Sequence, residues 1–476
     1  MLVIKPFTKF DIDELGVLKI KNMGGSGLNG GTSQGANEGE NGEVPANSFD
    51  ACPAFTEIDG LKPSFDKVIL DNKNQSFENP TLPNLVKFIV DYARESRLHL
   101  SYSLEDIATF IAGLGTTRLS ILQGMSGTGK TSLPKIFMEA VKGNCEIVEV
   151  ESSWKDKNEL LGYYNEFSKV YTPKKFTQAL YKASLNPEII TFIVLDEMNL
   201  SRIEYYFSDF LSLMENEEDK REIKLLNVKL YNTYDNEKHS YIGLKNDHTI
   251  KIPTNVWFIG TANRDESTFE ISDKVYDRAY TMNFNKRAPK VKNFMEPIPQ
   301  AFVSYETFRS LVNTAINEFE FDLDDYEVIK NVEKLLQPYN ISFGNRVAKQ
   351  IEEFVKVYCS CFNNPKDLIM EALEKILLSK VVSKLEFKSI ENKEELVREF
   401  EKLKLYSCSE FISKIKSQSN IENPITKAFK DAACLISKPS LLDTAVQTLD
   451  EMDFSDGSDK KGDIYETKKN FNYNIG

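Results

Sequence analysis

Apolar residues recur along this chain at spacings typical of strands and helices. Continuous apolar runs rich in β-branched residues predict five strands, at Arg118–Gln123, Glu146–Val150, Thr191–Leu195, Val256–Gly260 and Tyr280–Phe284. Segments with helical spacing of apolar residues separate these runs. The alternation predicts an α/β fold, in which a five-stranded parallel sheet is flanked by helices on both faces.

Composition and spacing divide the chain into four parts. Residues 1–80 are predicted to contain short strands and, at about 24–50, a Gly/Ser/Asn/Glu-rich linker too polar to order itself. Residues 81–290 hold the predicted sheet. Residues 291–445 have helical spacing almost throughout and predict an all-α domain. The acidic, polar tail 446–476 is expected to be disordered.

Two shorter segments have less regular patterns. Residues 51–79 are mixed and interrupted by proline, so they are expected to form a small strand-bearing region ahead of the sheet. An insert at about 216–252 alternates charged and apolar residues. This alternation predicts a β-hairpin, which we expect to project from the core.

Composition and charge limit the possible surroundings of the protein. The 476 residues are 41% hydrophobic, and no apolar run approaches the ~20 residues that a membrane span needs. The six cysteines form no C-x-x-C pair, which favours reduced thiols. We therefore expect a cytoplasmic protein with no membrane association. The net charge of −13 gives no support for strong autonomous DNA binding, although a local basic surface would be compatible with it.

Residues 124–132 carry the most specific chemical signal. They match the pattern G-x-x-x-x-G-K-[ST], between a predicted strand and a predicted helix. Lys130 would reach the β- and γ-phosphates of a nucleotide, and the Thr131 hydroxyl would ligate Mg²⁺. A Gly/Ser linker is the alternative, but the flanking elements favour a phosphate-binding loop. The residues expected to bind the nucleotide are Gly124, Met125, Ser126, Gly127, Thr128, Gly129, Lys130, Thr131 and Ser132.

The third predicted strand ends in an acidic pair, Asp196 and Glu197. In a P-loop protein, Asp196 would hold Mg²⁺ through water and Glu197 would polarise the attacking water. The pair could instead cap the following helix. Its place downstream of a phosphate loop favours the first interpretation. Together the two motifs predict a P-loop nucleoside-triphosphate hydrolase that uses Mg²⁺.

Three further motifs narrow the family. D-E-M-N-L-S-R begins at Asp196, G-T-A-N at Gly260 and D-K-V-Y-D-R-A at Asp273. In this order they resemble the AAA+ superfamily, in particular its branch of McrB-type restriction NTPases, MoxR-type chaperones and dynein-related modules. The resemblance covers roughly residues 82–390 and implies an AAA+ sheet followed by an all-α lid domain. It also implies a homo-oligomeric ring, with a hexamer as the default.

The resemblance implies roles for individual residues. Asn263 matches the sensor 1 position, which orients the lytic water, although an Asn after a strand also suits a turn. Asn199 matches the polar residue that follows the acidic pair in this branch. Arg278 matches the region of the arginine finger, which reaches a neighbour's γ-phosphate, and Arg264 is a rival for that role. Arg346 matches a sensor 2 arginine on the lid, with a surface or lid-packing arginine as the alternative.

Aromatic residues follow the second predicted strand. Trp154, Tyr163 and Tyr164 lie where AAA+ proteins often place loops that contact a substrate. They could stack on bases or grip a peptide, and core packing is the alternative. Aromatic residues on the helix after the acidic pair are interpreted as core or subunit contacts: Tyr205, Tyr206, Phe207 and Phe210.

The sequence suggests a motor without a nuclease of its own. Its three histidines are widely spaced, and the acidic stretch Glu217–Lys220 suits a solvated hairpin base better than a nuclease core. We expect the motor subunit of a McrBC-like restriction or antiphage complex that acts on DNA with a separate nuclease subunit. The alternatives are a MoxR-type chaperone acting on a protein client and a nucleotide-gated scaffold. ATP is favoured over GTP, because no residue indicates guanine recognition.

Overall fold

The structure is a computed structural model, and it describes residues 10–12, 18–20, 49–234, 237–263, 268–284, 296–339, 341, 344–363, 365–380 and 398. The chain forms two units, Met1–Ser48 and Phe49–Gly476. In the first unit, strands Phe10–Ile12 and Leu18–Ile20 pair as an antiparallel hairpin. The linker expected at about 24–50 lies outside the described residues apart from its last two positions.

A five-stranded parallel sheet forms the centre of the second unit. Its strands are β1 Leu119–Gly124, β2 Asn144–Glu149, β3 Thr191–Asp196, β4 Val256–Asn263 and β5 Ala279–Phe284. They lie in the order β5-β1-β4-β3-β2, and each adjacent pair is parallel. The predicted α/β fold is therefore confirmed. The last residues of the strands meet at one edge of the sheet, the carboxyl edge, and their first residues meet at the opposite amino edge.

Apolar side chains cover both faces of this sheet. Successive residues of a strand point to opposite faces, and in β3 the neighbours Phe192 and Ile193 belong to different core clusters. The first cluster includes residues of helices Leu82–Glu95 and Leu104–Thr116, and the second includes residues of helix Lys175–Leu185. Burial on both faces explains why the strands are continuous apolar runs in the sequence.

Helices connect the strands and pack on the sheet. Helix Leu104–Thr116 begins as its sequence predicts, with a capping box formed by Ser103 and Asp106. Within the described part of the chain, no helix combines the length and apolarity needed to span a membrane. The other helices that precede β5 in the chain are Pro53–Gly60, Lys62–Lys73, Leu82–Glu95, Ser132–Ala140, Asn158–Leu161, Lys175–Leu185, Ile203–Tyr206, Ser208–Leu213 and Asp273–Tyr276.

The region ahead of the sheet is mainly helical, so the expectation of a strand-bearing region there is wrong for most of its length. Helices Pro53–Gly60 and Lys62–Lys73 form most of residues 51–79, and the two-residue strand Phe49–Asp50 comes just before them. Each helix has a proline in its first turn, where proline is tolerated, and such prolines look like interruptions in the sequence. Phe55 anchors the first helix by stacking on Tyr181, with ring centroids 4.1 Å apart.

The insert packs against the body of the unit, so the expectation that it projects is wrong. Strand Glu222–Lys224 pairs with Thr249–Lys251, and between them Asn232–Tyr234 pairs both with Glu237–His239 and with Phe49–Asp50. Six of its apolar side chains are buried in the second core cluster: Ile223, Leu225, Leu230, Tyr241, Ile250 and Ile252.

Among the described residues, four longer helices follow β5, at Tyr305–Glu318, Glu327–Leu336, Asn345–Ser360 and Ile369–Lys380. They share the first core cluster with the sheet, and Phe354 stacks on Tyr280 of β5 with ring centroids 4.9 Å apart. The predicted all-α domain is helical in this part. Most of its remainder, and the tail expected at 446–476, lie outside the described residues.

Candidate nucleotide-binding site

The predicted phosphate loop connects β1 to helix Ser132–Ala140 at the carboxyl edge of the sheet. Gly127 and Gly129 have φ angles of +75° and +93°, in the left-handed region that side chains disfavour. These two glycines let the backbone curl so that its N–H groups can face one anion. The sequence motif therefore adopts the loop shape that phosphate binding needs.

Lys130 and Thr131 point into the centre of this loop. The Lys130 Nζ donates hydrogen bonds to the carbonyl oxygens of Gly124 (3.0 Å) and Met125 (2.6 Å). The Thr131 hydroxyl donates to Asp196 Oδ1 at 2.8 Å, although 64 residues separate them in the chain. The two groups expected to hold Mg²⁺ are thus already side by side, and their hard oxygen donors suit that ion. Outside this arrangement, the described residues contain no cluster of three or more acidic, His or Cys side chains that could hold a metal by itself.

Thr261 of β4 joins the two acidic residues, a role that the sequence analysis missed. Its hydroxyl donates to Asp196 Oδ1 at 2.7 Å and accepts a hydrogen bond from the backbone N–H of Glu197 at 2.8 Å. Strands β3 and β4 are neighbours, so their carboxyl ends bring these groups together. The G-T-A-N motif contains this threonine, but only the sheet order shows which residues it contacts.

Glu197 and Asn263 lie together beside the phosphate loop. The Asn263 Nδ2 donates to Glu197 Oε1 at 3.2 Å, and Glu197 has a φ of 54° in the left-handed region. Strained backbone of this kind is concentrated at functional sites, where neighbouring contacts hold it in place. The predicted base and the predicted sensor 1 residue are therefore brought into direct contact.

Asn199 supports Asn263 from below the site. It is only 3% exposed. Its Nδ2 donates to the carbonyl oxygens of Asn263 (2.8 Å) and Phe269 (3.3 Å), and its Oδ1 accepts from the Asn263 N–H at 3.3 Å. A buried amide with these partners positions the sensor strand and does not itself reach a nucleotide.

Tyr102 is a second contact that sequence reasoning missed. Its hydroxyl donates to the carbonyl oxygen of Gly129 at 3.2 Å, and burial raises the pKa of the phenol well above its usual value. The phenol therefore stays protonated and remains a hydrogen-bond donor to the loop. No local pattern around Tyr102 distinguishes it from an ordinary core tyrosine.

Arg278 and Arg346 lie at the amino edge of the sheet and share one carboxylate. Arg278 Nε donates to Glu215 Oε1 at 2.9 Å, and Arg346 donates to the same oxygen. The hydrogen bond from Arg278, with that from Arg346, lowers the pKa of Glu215. The residue after Arg278 pairs with Leu119 at the start of β1. Five residues of β1 then separate this edge from the phosphate loop, a distance of about 17 Å at strand geometry.

That distance is too long for either arginine to reach the nucleotide of its own chain. The arginine finger and the sensor 2 residue predicted from the sequence are therefore neighbours on one face, away from their own phosphate loop. The rival finger, Arg264, lies outside the described residues.

A cavity of about 360 Å³ opens beside these two arginines. We call it the arginine cavity. Arg118 donates to Glu218 at 2.7 Å, and Arg309 lies 3.6 Å from the same carboxylate, so Glu218 is not simply a solvated hairpin residue. Burial alone would raise the pKa of Glu218, but the neighbouring arginines lower it overall. The basic residues that line the cavity are Arg118, Arg221, Arg278, Arg309, Arg346 and Lys349, and the acidic ones are Glu215, Glu218 and Glu353.

The aromatic residues after β2 differ in how far they are exposed to solvent. Trp154 is buried and packs edge-on against Tyr206, with ring centroids 5.2 Å apart, so it belongs to the core. Tyr163 is half-exposed on a hairpin formed by strands Gly162–Asn165 and Val170–Pro173. We call this the aromatic hairpin. Its turn carries Phe167, which is 99% exposed.

Two family profiles match separate parts of the chain. Residues 120–279 match the AAA domain (dynein-related subfamily), and residues 295–432 match a domain of unknown function, DUF8727. The first match contains the phosphate loop, the acidic pair and Asn263, so this region is similar to AAA domains of the dynein-related subfamily. It does not separate McrB-type from MoxR-type proteins.

One solved structure shows a limited similarity to this chain. A candidate ATPase from Cytophaga hutchinsonii ATCC 33406 is similar over 77% of this chain and 97% of its own, with 15% identity and a TM-score of 0.45. No curated protein matches the chain.

Proposed function

We propose that this protein hydrolyses a nucleoside triphosphate, ATP in preference to GTP, with Mg²⁺. The supporting observation is the convergence of the phosphate loop, the acidic pair and Asn263 at one edge of the sheet. The nucleotide contains the phosphoanhydride bond that is cleaved, and Mg²⁺, when bound, would neutralise the charge that develops on the phosphate oxygens. Lys130 would bind the phosphates, Thr131 and Asp196 would hold the ion, and Glu197 would accept a proton from the attacking water.

We further propose that a neighbouring subunit completes this site. Arg278 and Arg346 face away from their own phosphate loop, so each can meet a γ-phosphate only on another copy of the chain. A head-to-tail contact of this kind closes into a ring when its rotation allows, and a hexamer is our expectation. In the isolated protomer, Glu215 occupies both guanidinium groups. The incoming phosphate would replace this carboxylate.

Two substitutions test hydrolysis directly. Lys130→Ala should abolish nucleotide binding in titration calorimetry, because the phosphates lose their only cation from the loop. Glu197→Gln should bind ATP normally and hydrolyse it roughly 10²–10⁴-fold more slowly, because it lacks the proton acceptor. Normal affinity in the first variant, or normal turnover in the second, would contradict the proposal.

The finer proposal is a motor of a McrBC-like defence complex that acts on DNA with a separate nuclease subunit. Its support is the order of the D-E-M-N, G-T-A-N and D-R-A motifs, together with the scarcity of nuclease-type residues in the sequence. A MoxR-type chaperone is the second candidate. The fully exposed Phe167 is compatible with it, because such a side chain could grip an unfolded polypeptide as readily as it could stack on a base.

Stimulation of hydrolysis can separate these two functions. Steady-state turnover is measured alone, with single- or double-stranded DNA, and with an unfolded protein such as reduced casein. A DNA-dependent increase supports the McrBC-like motor. An increase with casein alone favours the chaperone and overturns the DNA proposal.

A further inference from the structure

A buried lysine holds the backbone on both sides of Arg278. Lys380 is the last described residue of helix Ile369–Lys380 and is fully buried, with 0% of its surface exposed. Its Nζ donates to the carbonyl oxygens of Tyr276 (3.3 Å), Asp277 (3.4 Å) and Ala279. An ammonium group removed from water needs such acceptors, so the contact fixes this segment firmly to the helix.

The three carbonyl groups are available to Lys380 because they lie at a helix end and on an edge strand. The short helix Asp273–Tyr276 ends two residues before Arg278, and the last carbonyls of a helix have no partners within it. Strand β5 is at the edge of the sheet, so half of its backbone polar groups face away from β1. A cation placed at this junction donates hydrogen bonds both to the carbonyl groups at the helix end, from Tyr276 and Asp277, and to the outward carbonyl of Ala279 in β5. It also complements the negative end of the helix.

We propose that Lys380 is a positioning residue for Arg278. It ties the segment that carries this arginine to the helical region, so that the guanidinium meets a neighbour's γ-phosphate in a fixed geometry. The inference rests on the proposed function, in which Arg278 acts on the adjacent subunit. A misplacement of about 1 Å at a reacting group can cost roughly 10²-fold in rate. We therefore expect Lys380→Met to lower turnover by about 10²-fold while its own nucleotide affinity stays within about threefold of wild type.

Two other variants separate positioning from stability. Lys380→Arg keeps a cation with several donors and should retain more turnover than Lys380→Met. Ser379→Ala is the matched control. Ser379 is also buried and precedes Lys380 in the same helix, but its hydroxyl accepts a hydrogen bond from the Thr281 N–H at 2.8 Å, beyond the arginine segment. This control should lose stability without a comparable loss of turnover.

Mixing full-length variants tests whether Lys380 acts across the subunit contact. Lys130→Ala cannot bind nucleotide, but it offers an intact Arg278 and Lys380 to its neighbour. When it is mixed in equal amounts with Lys380→Met, half of the nucleotide-binding sites face a complete arginine segment. Turnover should then rise to about one quarter of the wild-type rate per subunit, far above either variant alone. Arg278→Ala mixed with Lys130→Ala is the reference and should recover to the same extent.

The outcomes are distinct. Recovery in both mixtures supports the inference. Recovery with Arg278→Ala but not with Lys380→Met shows that Lys380 acts within its own subunit, and it overturns the inference alone. Failure of the Arg278→Ala mixture overturns action across the subunit contact, and the Lys380 inference with it. If Lys380→Met binds no nucleotide, the same mixture is made with Lys380→Arg. Turnover of that mixture, per subunit able to bind nucleotide, must then exceed turnover of Lys380→Arg alone. If it does not, the inference fails.

Discussion

The hydroxyl of Thr261 contacts both acidic residues of the site. It donates to Asp196 and accepts from the backbone of Glu197, so it links the metal-binding position to the proposed base. Glu197 has a strained left-handed backbone, which only such contacts can hold in one conformation. A residue with no direct role in the chemistry thus fixes the geometry of two residues that have one.

Thr261→Val keeps a similar side-chain volume and removes both hydrogen bonds. We expect turnover to fall by roughly 10²-fold, because Glu197 is no longer fixed, while nucleotide affinity changes by less than about tenfold. Steady-state hydrolysis and titration calorimetry measure the two effects. Thr261→Ser is the matched control, since it keeps the hydroxyl. Equal loss in the serine and valine variants would rule out the hydrogen bonds as the cause.

Cys145, which is half-buried, and Cys359, which is buried, should be chemically inert in the folded protein. Burial raises the pKa of Cys145 and of Cys359 to about 12. At pH 8 only about one thiol in 10⁴ is then the reactive thiolate. We expect alkylation of both to be slow at pH 8, to accelerate on unfolding, and to rise in the folded state only as the pH approaches 12. Peptide mapping after iodoacetamide treatment measures this. Rapid alkylation of either residue in the folded protein at pH 8 would contradict the prediction.

At the scale of elements, local patterns and tertiary contacts contributed different parts of the site. The phosphate loop and the acidic pair were predictable, because each is a contiguous motif next to a strand with a strong apolar pattern. Thr261 and Tyr102 were not, since their partners are distant in the chain. The shared position of Arg278 and Arg346 also depends on sheet order, which no local pattern contains.

The packing of the insert also could not be predicted from a local sequence pattern. Its alternating residues correctly indicated strands, but alternation does not reveal what covers the apolar side. Tyr241 of the insert donates to Asp50 and accepts from the Cys52 N–H at 2.7 Å, which ties it to the region ahead of the sheet. The helices of that region were hidden by prolines at their first turns. The insert and the region ahead of the sheet, whose packing or secondary structure was predicted wrongly, therefore pack on one another.

The aromatic hairpin is the element most suited to contact a substrate. Phe167→Ala should leave stability and basal hydrolysis unchanged, because the side chain is 99% exposed and contributes no burial. It should reduce stimulation by the effective polymer, DNA or unfolded protein, by about tenfold, the loss expected when one stacking aromatic is removed. Leu70→Ala, at another exposed apolar residue, is the control. Unchanged stimulation in Phe167→Ala would exclude the hairpin as a substrate contact.

At the scale of the whole molecule, the two edges of the sheet have complementary chemistry. The carboxyl edge offers a phosphate loop with the acidic pair, and the amino edge offers the arginine cavity. Arg278 and Arg346 lie beyond reach of the phosphate loop at the carboxyl edge, and among the described residues the amino edge has no phosphate loop. In the proposed ring, copies stacked edge to edge would form repeated composite sites, with the arginines of one copy at the phosphate loop of the next.

Assembly should accordingly depend on bound nucleotide. Glu197→Gln keeps its nucleotide, so its particle mass should rise from one subunit toward six when ATP is added, because the γ-phosphate bridges the loop of one copy and the arginines of the next. Mass photometry without nucleotide, with ATP and with GTP measures this and identifies the preferred nucleotide. Arg278→Ala introduced into Glu197→Gln should bind ATP and assemble less. Full assembly of that double variant would show that the arginine edge is not the subunit contact.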